Sequence, residues 1–369
     1  MKVLFVTKFY PPVEGGIERY SHALCTALHA RGVDVEVVAA AQGARASRVE
    51  EVDGITIHRL GLLTTVRRAP VTPGLPSLLR ELAPQFDLVH HNFPNPWAEI
   101  CHLATSRGAK SLVTYHSDIY RQKVLLNLYR PWIHRFLEAN SAIIATSPNY
   151  IESSPFLRRY RDRCRSIPLP VLVSPLGDEA ATAEVRARYG NFVLFVGRLV
   201  YYKGLEFLIE AIGALERVEL VVSGQGPMEH KFRGLARKLG LDKRVHFLGM
   251  IDDDRLRHFY AASRCLVLPS IFRSEAFGMV LGEAMAYGTP VISTELGTGT
   301  SYINQHGATG FVVPPADSDA LADKIALICG DEALHAELGA NARKRIEDEF
   351  DKEVMIDRTL ALYEDLVVR

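Results

Sequence analysis

The sequence predicts an α/β protein with two doubly wound, parallel-sheet domains that face each other across a cleft. Strand-like apolar runs alternate with helical patterns along the whole chain, which is typical of βαβ units. The chain has 369 residues, enough for two domains that each bury a core. A stretch at 166–177 that contains Pro168, Pro170 and Pro175 separates the two series of strands, and we place the domain junction there.

Ten apolar runs give the predicted strands, five in each half of the chain. In the first half they lie at 3–7, 35–39, 88–91, 111–115 and 142–146. In the second half they lie at 192–196, 220–223, 245–248, 265–268 and 291–293. Helical patterns follow at about 317–330, 332–349 and 352–367. Because such domains bind ligands at the carboxyl ends of their strands, residues that follow the strands are the candidates for a site.

The amino-acid composition indicates a soluble globular protein. Apolar residues make up 48% and charged residues 23%, as in soluble globular proteins, and a formal net charge of zero gives no reason to expect nucleic acid. The five cysteines stand singly without metal-ligand spacing, which favours a reduced, cytoplasmic setting. No stretch approaches 18 apolar residues and the amino terminus enters a strand directly, so we expect neither a membrane span nor a signal peptide.

Charge is distributed unevenly along the chain. Residues 1–180 contain 21 Lys and Arg against 16 Asp and Glu, and 119–165 contain nine against three. This predicts a positive face on the first domain, suited to an anionic membrane surface or a diphosphate-linked acceptor. An ordinary helix packed on the sheet explains 120–136, with Arg121 and Lys123, about as well as membrane contact does. Five arginines between 158 and 165 favour a peripheral membrane surface.

The segment 275–283 contains the most informative motif. Glu275 and Glu283 bracket a turn that we expect to become a helix at about Gly278. Backbone N–H groups at a helix start lack intrahelical partners and favour an anion. The residues concerned are Phe277, Gly278, Met279 and Val280. The pattern indicates a phosphate held by backbone between two carboxylates that bind hydroxyl groups, although two acids at this spacing are also common on solvated helices.

Arg198 and Lys203 lie five residues apart after the strand at 192–196. The planar guanidinium and the compact ammonium suit a diphosphate that gains charge as a leaving group departs. Solvated surface cations are the alternative interpretation. Gly15 and Gly16 stand at the start of a predicted helix that runs to about Gly32. The glycine pair could either contact an anion or form a plain turn. They do not form a G-x-G-x-x-G motif, which disfavours a dinucleotide cofactor.

Three further segments follow predicted strands. His116 stands at the end of the strand at 111–115, where a structural histidine is the alternative to a site residue, and Asp118 is interpreted as a helix cap or a positioning group. Turns at 223–227 and 247–251 bring backbone near a flat ring, with Gly224 in the first and Met250 and Ile251 in the second. The acids at 252–254 open a helix, so we interpret them as caps and predict no catalytic metal.

Together these motifs resemble the retaining glycosyltransferases of family 4, which have the GT-B fold of two Rossmann-like domains. The resemblance covers nearly the whole chain and is strongest from 195 to 315. It implies that Glu275 contacts the donor sugar, that Glu283 holds the ribose, and that Arg198 and Lys203 bind the diphosphate. It also implies that His116 contacts the donor sugar or its surroundings.

The resemblance places the remaining predicted contacts around the donor as well. Gly15 and Gly16 lie beside its phosphates, and Met250 with Ile251 lines the nucleobase pocket. The implied domains are 1–172, which binds the acceptor, and 173–351, which binds the nucleotide-sugar, with the helix of 352–369 crossing back to the first domain. The doubled Pro-Leu stretch in 167–178 departs from the family pattern and leaves the hinge geometry open.

Within the family, the stretches 198–204, 146–151 and 296–300 most resemble bacterial mannosyl- and rhamnosyltransferases of surface polysaccharide synthesis. The resemblance implies transfer of mannose or rhamnose from a GDP-sugar to a glycan acceptor on a polyprenyl diphosphate, at the inner face of the plasma membrane. His116, Arg198, Lys203 and Glu275 are the expected catalytic residues, with no cofactor or metal. A UDP-hexose-dependent transferase, a GT-B sugar-nucleotide epimerase and a catalytically idle sugar-nucleotide binding module are the alternatives.

Overall fold

The chain divides after Pro170 into two α/β units in the computed structural model. The first unit contains residues 1–170 and 352–369, and the second contains residues 171–351. The structure describes residues 1–66, 69–105, 108–119 and 123–368, without the side chains of 123–125. Two Rossmann-like domains with parallel sheets confirm the predicted fold class.

Strands and helices alternate along most of the chain, except that β2 to β6 follow one another and three helices, α12 to α14, come last. The strands are β1 (Lys2–Val6), β2 (Asp34–Ala41), β3 (Arg48–Val52), β4 (Ile55–Gly61), β5 (Thr64–Val66), β6 (Ala69–Val71), β7 (Leu88–Phe93), β8 (Ser111–Tyr115), β9 (Ala142–Ala145), β10 (Cys164–Ser166), β11 (Phe192–Val196), β12 (Glu219–Ser223), β13 (Val245–Gly249), β14 (Cys265–Leu268), β15 (Val291–Thr294) and β16 (Gly310–Val313). The helices are α1 (Gly16–Ala30), α2 (Leu75–Leu82), α3 (Pro96–Thr105), α4 (Lys123–Ala139), α5 (Pro148–Ser153), α6 (Glu179–Tyr189), α7 (Leu205–Gly213), α8 (Glu229–Lys238), α9 (Asp253–Ala262), α10 (Met279–Ala286), α11 (Thr300–Ile303), α12 (Ser318–Gly330), α13 (Glu332–Glu349) and α14 (Lys352–Val368).

The first unit contains a sheet of eight strands in the order β10-β9-β8-β7-β1-β2-β4-β3. Strand order reverses between β1 and β7, so the loops that follow these strands diverge and leave a crevice at their carboxyl ends. The helix α14 belongs to this unit and packs on its core through Met355, Ile356 and Tyr363. Arg31, the C-cap residue of α1, donates hydrogen bonds to Glu353 and Asp357 of α14.

The second unit contains six strands, all parallel, in the order β13-β12-β11-β14-β15-β16. The central strands β11, β12 and β14 are almost wholly buried because helices cover both faces. This explains the unbroken apolar sequences of β11 and β14 and the apolar centre of β12. Strand order reverses between β11 and β14. The crevice at the carboxyl ends of these two strands is therefore the expected ligand position in this unit.

One edge strand of the first unit departs from the parallel arrangement. β3 pairs antiparallel with β4 through a two-residue turn at Asp53 and Gly54, with φ values of 53° and 76°. An Asp-Gly pair favours this turn because both positions require positive φ. Beyond the ten predicted strands, the two large sheets also contain β3, β4, β10 and β16, and β5 and β6 form a separate antiparallel pair. In the part of the chain that the structure describes, no helix is long and apolar enough to cross a membrane.

Candidate active site

An ion pair lies at the crevice of the second unit. Lys203 Nζ is 2.6 Å from Glu275 Oε2, and the two side chains are 11% and 12% exposed. Lys203 is in the loop after β11 and Glu275 is in the loop after β14, the two strands between which the strand order reverses. The pair therefore joins the two loops that a ligand in this crevice would contact.

Glycines allow the loop after β11 to approach its neighbours closely. Gly224 has φ 140°, and a Cβ there would collide with the carbonyl oxygen of Gly197. The N–H of Gly197 donates to Ser223 O over 2.9 Å, and that of Gly224 donates to Gly249 O over 2.7 Å. Gly224 thus packs three loops together, and its predicted contact with the donor stays a prediction.

A second close approach brings Lys203 to the loop after β14. Gly204 has φ 66°, and a Cβ there would collide with the carbonyl oxygen of Pro269. The N–H of Ile271 donates to Tyr202 O over 2.9 Å. Backbone contacts on both sides of Lys203 therefore hold its side chain toward Glu275.

Hydrogen bonds fix the position of Glu275. Ser270 Oγ donates to Glu275 Oε2 over 3.1 Å, and Thr298 Oγ1 donates to the Glu275 carbonyl over 2.8 Å. The N–H of Gly299 donates to Ala276 O over 2.8 Å. Because residues 298 and 299 follow β15, the loops after two neighbouring strands support this carboxylate together.

The helix α10 begins at Met279 with Gly278 as its N-cap, one residue from the predicted start. Gly278 has φ 78°, and a Cβ there would lie 2.9 Å from Leu268 Cδ2, so glycine suits this position. Phe277 and Gly278 are buried, whereas Met279 and Val280 are half-buried. The first N–H groups of α10 lie just after Glu275 in the chain, and a helix start favours negative charge.

Glu283 lies in the second turn of α10 and accepts a 2.6 Å hydrogen bond from Tyr260 Oη. Burial, then the nearby Glu283 charge, raises the pKa of Tyr260 well above its ordinary value, so this tyrosine remains a donor. The ring of Tyr260 stacks on Tyr287 with an interplanar angle of 15°. These contacts hold the carboxylate of Glu283 in a defined orientation.

Arg198 and Met250 are exposed, whereas Ile251 is buried. Met250 and Ile251 line a cavity of about 300 Å³ between α6, α9 and the end of β13. The cavity is also lined by Arg188, Tyr189, Arg255 and Phe259. Whether this cavity accepts a nucleobase stays a prediction.

Asp252 caps α9, as predicted, by accepting a 2.9 Å hydrogen bond from the N–H of Arg255. Asp253 and Asp254 lie in the first turn of the same helix, where acids complement the helix dipole. Among the described residues, no group of three or more His, Cys, Asp and Glu side chains is placed to hold a metal ion.

His116 lies at the corresponding edge of the sheet in the first unit, directly after β8. Its N–H donates to Phe93 O over 3.1 Å, and its Nε2 is 2.8 Å from Asn92 Oδ1. Asn92 Nδ2 donates to Ser21 Oγ, so Oδ1 is the acceptor and His116 donates from Nε2. Burial, then the charge of Lys8, lowers the pKa of His116 to about 3. His116 is therefore neutral near pH 7, with Nδ1 as an acceptor.

Gly15 is the N-cap of α1, and the helix begins at Gly16, as predicted. The carboxylate of Glu18 lies over the start of the helix, so close to Gly15 that a Cβ on Gly15 would collide with it. An acid of the first turn therefore already complements the helix dipole here. Contact between Gly15, Gly16 and a donor phosphate stays a prediction.

Asp118 makes the contacts of a positioning group, one of its two interpretations from the sequence. It accepts hydrogen bonds from Tyr115 Oη over 2.6 Å and Ser154 Oγ over 2.7 Å, and its N–H donates to Tyr150 Oη over 2.7 Å. The described part of α4 begins only at residue 123. Asp118 therefore ties the loop after β8 to α5 and the residues that follow it.

The structure thus brings Arg198, Lys203, Glu275, Glu283 and the start of α10 to one edge of the second unit, and it places His116 and Gly15–Gly16 in the first unit. Four residues that orient these groups were not predicted from the sequence. They are Ser270, Thr298, Tyr260 and Asn92. Only Asn92 gave a signal, since it ends a polar His-His-Asn run within a buried strand.

Comparison with known proteins agrees with this architecture. Residues 14–174 match the family described as Glycosyltransferase Family 4, and residues 180–345 match Glycosyl transferases group 1. O-antigen chain mannosyltransferase C of Escherichia coli is 36% identical over 370 residues, covering 100% of this chain and 99% of that protein. D-rhamnosyltransferase WbpZ of Pseudomonas aeruginosa is 38% identical over 355 residues, covering 95% and 92%. The sucrose-phosphate synthase structure from Thermosynechococcus elongatus, 25% identical, has a TM-score of 0.77 and covers 100% and 99%.

The chain therefore belongs to the family 4 glycosyltransferases with the GT-B fold, and the protein is a glycosyltransferase. This confirms the resemblance that the motifs indicated. Enzymes of this kind take a sugar-nucleotide donor and a glycan acceptor.

Proposed function

We propose that the protein transfers mannose or rhamnose from a GDP-sugar to a glycan acceptor, with retention of configuration, in the synthesis of a bacterial surface polysaccharide. Two relatives aligned over nearly the whole chain support the sugar and the pathway, since they are named a mannosyltransferase of the O-antigen chain and a D-rhamnosyltransferase. The structural observation that carries the proposal is the Lys203–Glu275 pair at the crevice of the second unit.

Each of these residues has a chemical role in the proposed reaction. Arg198 and Lys203 stabilise the GDP diphosphate as the bond from the sugar C1 to the phosphate oxygen breaks. Glu275 and the neutral His116 orient the sugar through its hydroxyl groups, and Glu283 accepts the ribose hydroxyls. The leaving diphosphate oxygen takes the proton of the acceptor hydroxyl, whose oxygen bonds to C1 on the same face.

The proposed reaction uses no metal. Lys203 is fixed by its loop and its carboxylate partner before any ligand binds, so the cation needs little reorganisation to meet a diphosphate. The acids at 252–254, the segment most similar to a metal-binding motif, are engaged as the start of α9. Added EDTA should therefore leave turnover unchanged, and a loss that manganese or magnesium restores would contradict this part of the proposal.

Donor consumption followed by proton NMR tests the reaction directly. The protein would be incubated with GDP-mannose, GDP-rhamnose or UDP-glucose, with methyl α-mannoside as a simple acceptor. We expect turnover of a GDP-sugar and an α-linked product, in which the configuration is retained, the glycosidic bond is axial and the anomeric proton is equatorial. Use of UDP-glucose alone would contradict the donor assignment. Interconversion of a donor without any acceptor would favour a GT-B epimerase instead.

A lipid-linked acceptor and peripheral contact with an anionic membrane are part of this proposal. The first unit contains five exposed arginines in the short segment 158–165. On α4, the exposed side chains of Leu128 and Trp132 lie one helical turn apart. The arginines are Arg158, Arg159, Arg161, Arg163 and Arg165. Arg121 and the side chain of Lys123, which belong to the basic region predicted from the sequence, lie outside the described residues. Basic side chains with exposed apolar groups beside them suit the headgroup region of an anionic bilayer.

Vesicle sedimentation tests the membrane contact. We expect binding to phosphatidylglycerol vesicles that weakens with salt, no binding to phosphatidylcholine vesicles, and a loss of about fivefold in affinity for Arg158→Glu. Arg237→Glu, an exposed arginine of the second unit, is the matched control and should bind as the unaltered protein does. Equal binding to both kinds of vesicle, or equal losses in both variants, would contradict the assignment of this face.

A further inference from the structure

Two aromatic rings are exposed beside the candidate active site. Tyr201 is 44% exposed and Phe272 is 51% exposed, high values for large apolar side chains. Their ring centroids lie 5.6 Å apart with an interplanar angle of 66°. Tyr202 extends the group, with its centroid 5.8 Å from that of Tyr201. The rings therefore form one aromatic surface at the protein exterior.

The aromatic surface shares its framework with the ion pair. Tyr201 precedes Lys203 by two residues, and Phe272 precedes Glu275 by three. The N–H of Glu275 donates to Phe272 O over 3.0 Å, and the N–H of Ile271 donates to Tyr202 O over 2.9 Å. A ligand that lies on these rings is consequently held at a fixed position relative to Lys203 and Glu275.

The chemistry of the surroundings favours a sugar ring over a lipid or a protein partner. One face of a pyranose presents C–H groups that pack on an aromatic face, while its hydroxyls need charged or polar partners nearby. Arg198, Lys203 and Glu275 lie within a few residues of the two rings and supply such partners. An acyl chain or a protein interface requires a wider apolar area than these rings offer.

We propose that Tyr201 and Phe272 form a stacking subsite for a pyranose ring of the glycan acceptor. The acceptor fits better than the donor sugar, because the donor is placed against Glu275, which is only 12% exposed, whereas the rings are at the open rim. This inference rests on the proposed function and adds a position for the second substrate. It extends acceptor binding to the second unit, beyond the 1–172 domain that the family resemblance implies for the acceptor. Both side chains position the acceptor and take no part in bond breaking.

Acceptor kinetics with matched glycosides test the subsite. The probes are the methyl and octyl α-glycosides of mannose, rhamnose and N-acetylglucosamine, with GDP-mannose as the donor. Phe272→Ala and Tyr201→Ala should each raise the acceptor KM about tenfold, equally for methyl and octyl glycosides. Phe272→Leu keeps an apolar side chain but removes the ring, so it should raise the acceptor KM as Phe272→Ala does. Phe272→Tyr keeps a ring, so its acceptor KM should equal that of the unaltered protein.

Donor affinity separates this proposal from the proposed function. Calorimetric titration with GDP should give the same dissociation constant for the unaltered protein and for all four variants. Leu327→Ala, which truncates a side chain that is 42% exposed on α12, is the control and should leave both substrates unaffected. Absence of GDP binding to the unaltered protein would refute the proposed function instead.

Several results would overturn the stacking subsite itself. An unchanged acceptor KM in the alanine variants, with GDP binding intact, would do so. A loss confined to octyl glycosides would indicate that the rings contact the lipid carrier, and a loss of GDP affinity would place them at the donor. Near-normal kinetics of Phe272→Leu would show that general apolar contact, not stacking, is involved. Failure of all six glycosides to bind the GDP-loaded protein would equally reject the subsite.

Discussion

Removing both partners of the Lys203–Glu275 ion pair should destabilise the protein no more than removing one. The paired atoms lie 2.6 Å apart, and the side chains are 11% and 12% exposed. Truncating one partner leaves the other charge largely out of water without its counter-ion, which costs about 3–5 kcal/mol in comparable pairs. For Lys203→Ala we expect about 3 kcal/mol, because Ser270 still donates a hydrogen bond to Glu275.

The double variant Lys203→Ala/Glu275→Ala removes both charges, so no unpaired charge is left in the loop. We expect it to be as stable as either single variant, which corresponds to a coupling free energy of about 3 kcal/mol. Urea denaturation of the nucleotide-free proteins, followed by circular dichroism, measures the four free energies of unfolding. The coupling should change little between low and high salt, because a buried pair is poorly screened.

The exposed pair Lys344–Asp348 provides the control for this cycle. Its atoms lie 2.8 Å apart, but the side chains are 73% and 57% exposed, so the corresponding cycle should show no measurable coupling. Additive losses for Lys203 and Glu275, or a coupling that high salt abolishes, would refute the reasoning about the buried pair.

Catalysis provides a second readout of the same variants. Glu275→Ala should lower turnover at least about tenfold, because the sugar loses the carboxylate that orients it. Lys203→Ala should weaken donor binding by roughly 1.5–3 kcal/mol, the contribution of a charge-assisted contact. Normal turnover and donor affinity in both variants would remove these residues from the site.

Three further changes test other parts of the structure. Gly204→Ala should lower the free energy of unfolding by about 1–3 kcal/mol, because Gly204 has φ 66° and a Cβ there would collide with the Pro269 carbonyl oxygen. An unchanged midpoint of thermal unfolding would contradict this. Tyr260→Phe should raise the donor KM a few-fold without changing turnover at saturation, since Glu283 loses its 2.6 Å hydrogen bond. An unaffected donor KM in steady-state kinetics would contradict this. Burial raises the pKa of Glu99 from 4.5 to about 7. Between these two pH values the Glu99 carboxyl ionises in the unfolded chain but keeps its proton in the folded protein. The free energy of unfolding should therefore fall by up to about 3 kcal/mol as the pH rises through this range. Glu99→Gln should remove this decline in urea titrations across that range.

Apolar periodicity was sufficient to predict the central strands of both sheets. β8, β11 and β14 have the predicted bounds, because each is a short apolar run between helices. The edge hairpin of β3 and β4 was missed since β3 has the sequence Arg-Val-Glu-Glu-Val, whose charges belong to a strand with a solvated face. The Asp53-Gly54 pair between the two strands was the available signal.

The candidate site was predictable as a set of loops but not as a set of contacts. Arg198, Lys203 and Glu275 could be placed after strands, and parallel strands bring such loops to one edge. The 2.6 Å pairing of Lys203 with Glu275 depends on Gly204 approaching the Pro269 carbonyl, which only the packed fold determines. Likewise, the neutral state of His116 follows from its burial and from Lys8, neither of which the local sequence indicates.

The proposed function rests on the claim that the crevice at Lys203 and Glu275 binds a guanosine diphosphate sugar, and calorimetric titration measures this binding. GDP, UDP, ADP and their hexose conjugates would be titrated into the unaltered protein and into Lys203→Ala. We predict selective binding of GDP and GDP-mannose, weakened at least about tenfold in Lys203→Ala. Selective binding of UDP and its conjugates, or GDP binding that Lys203→Ala leaves intact, would contradict the claim.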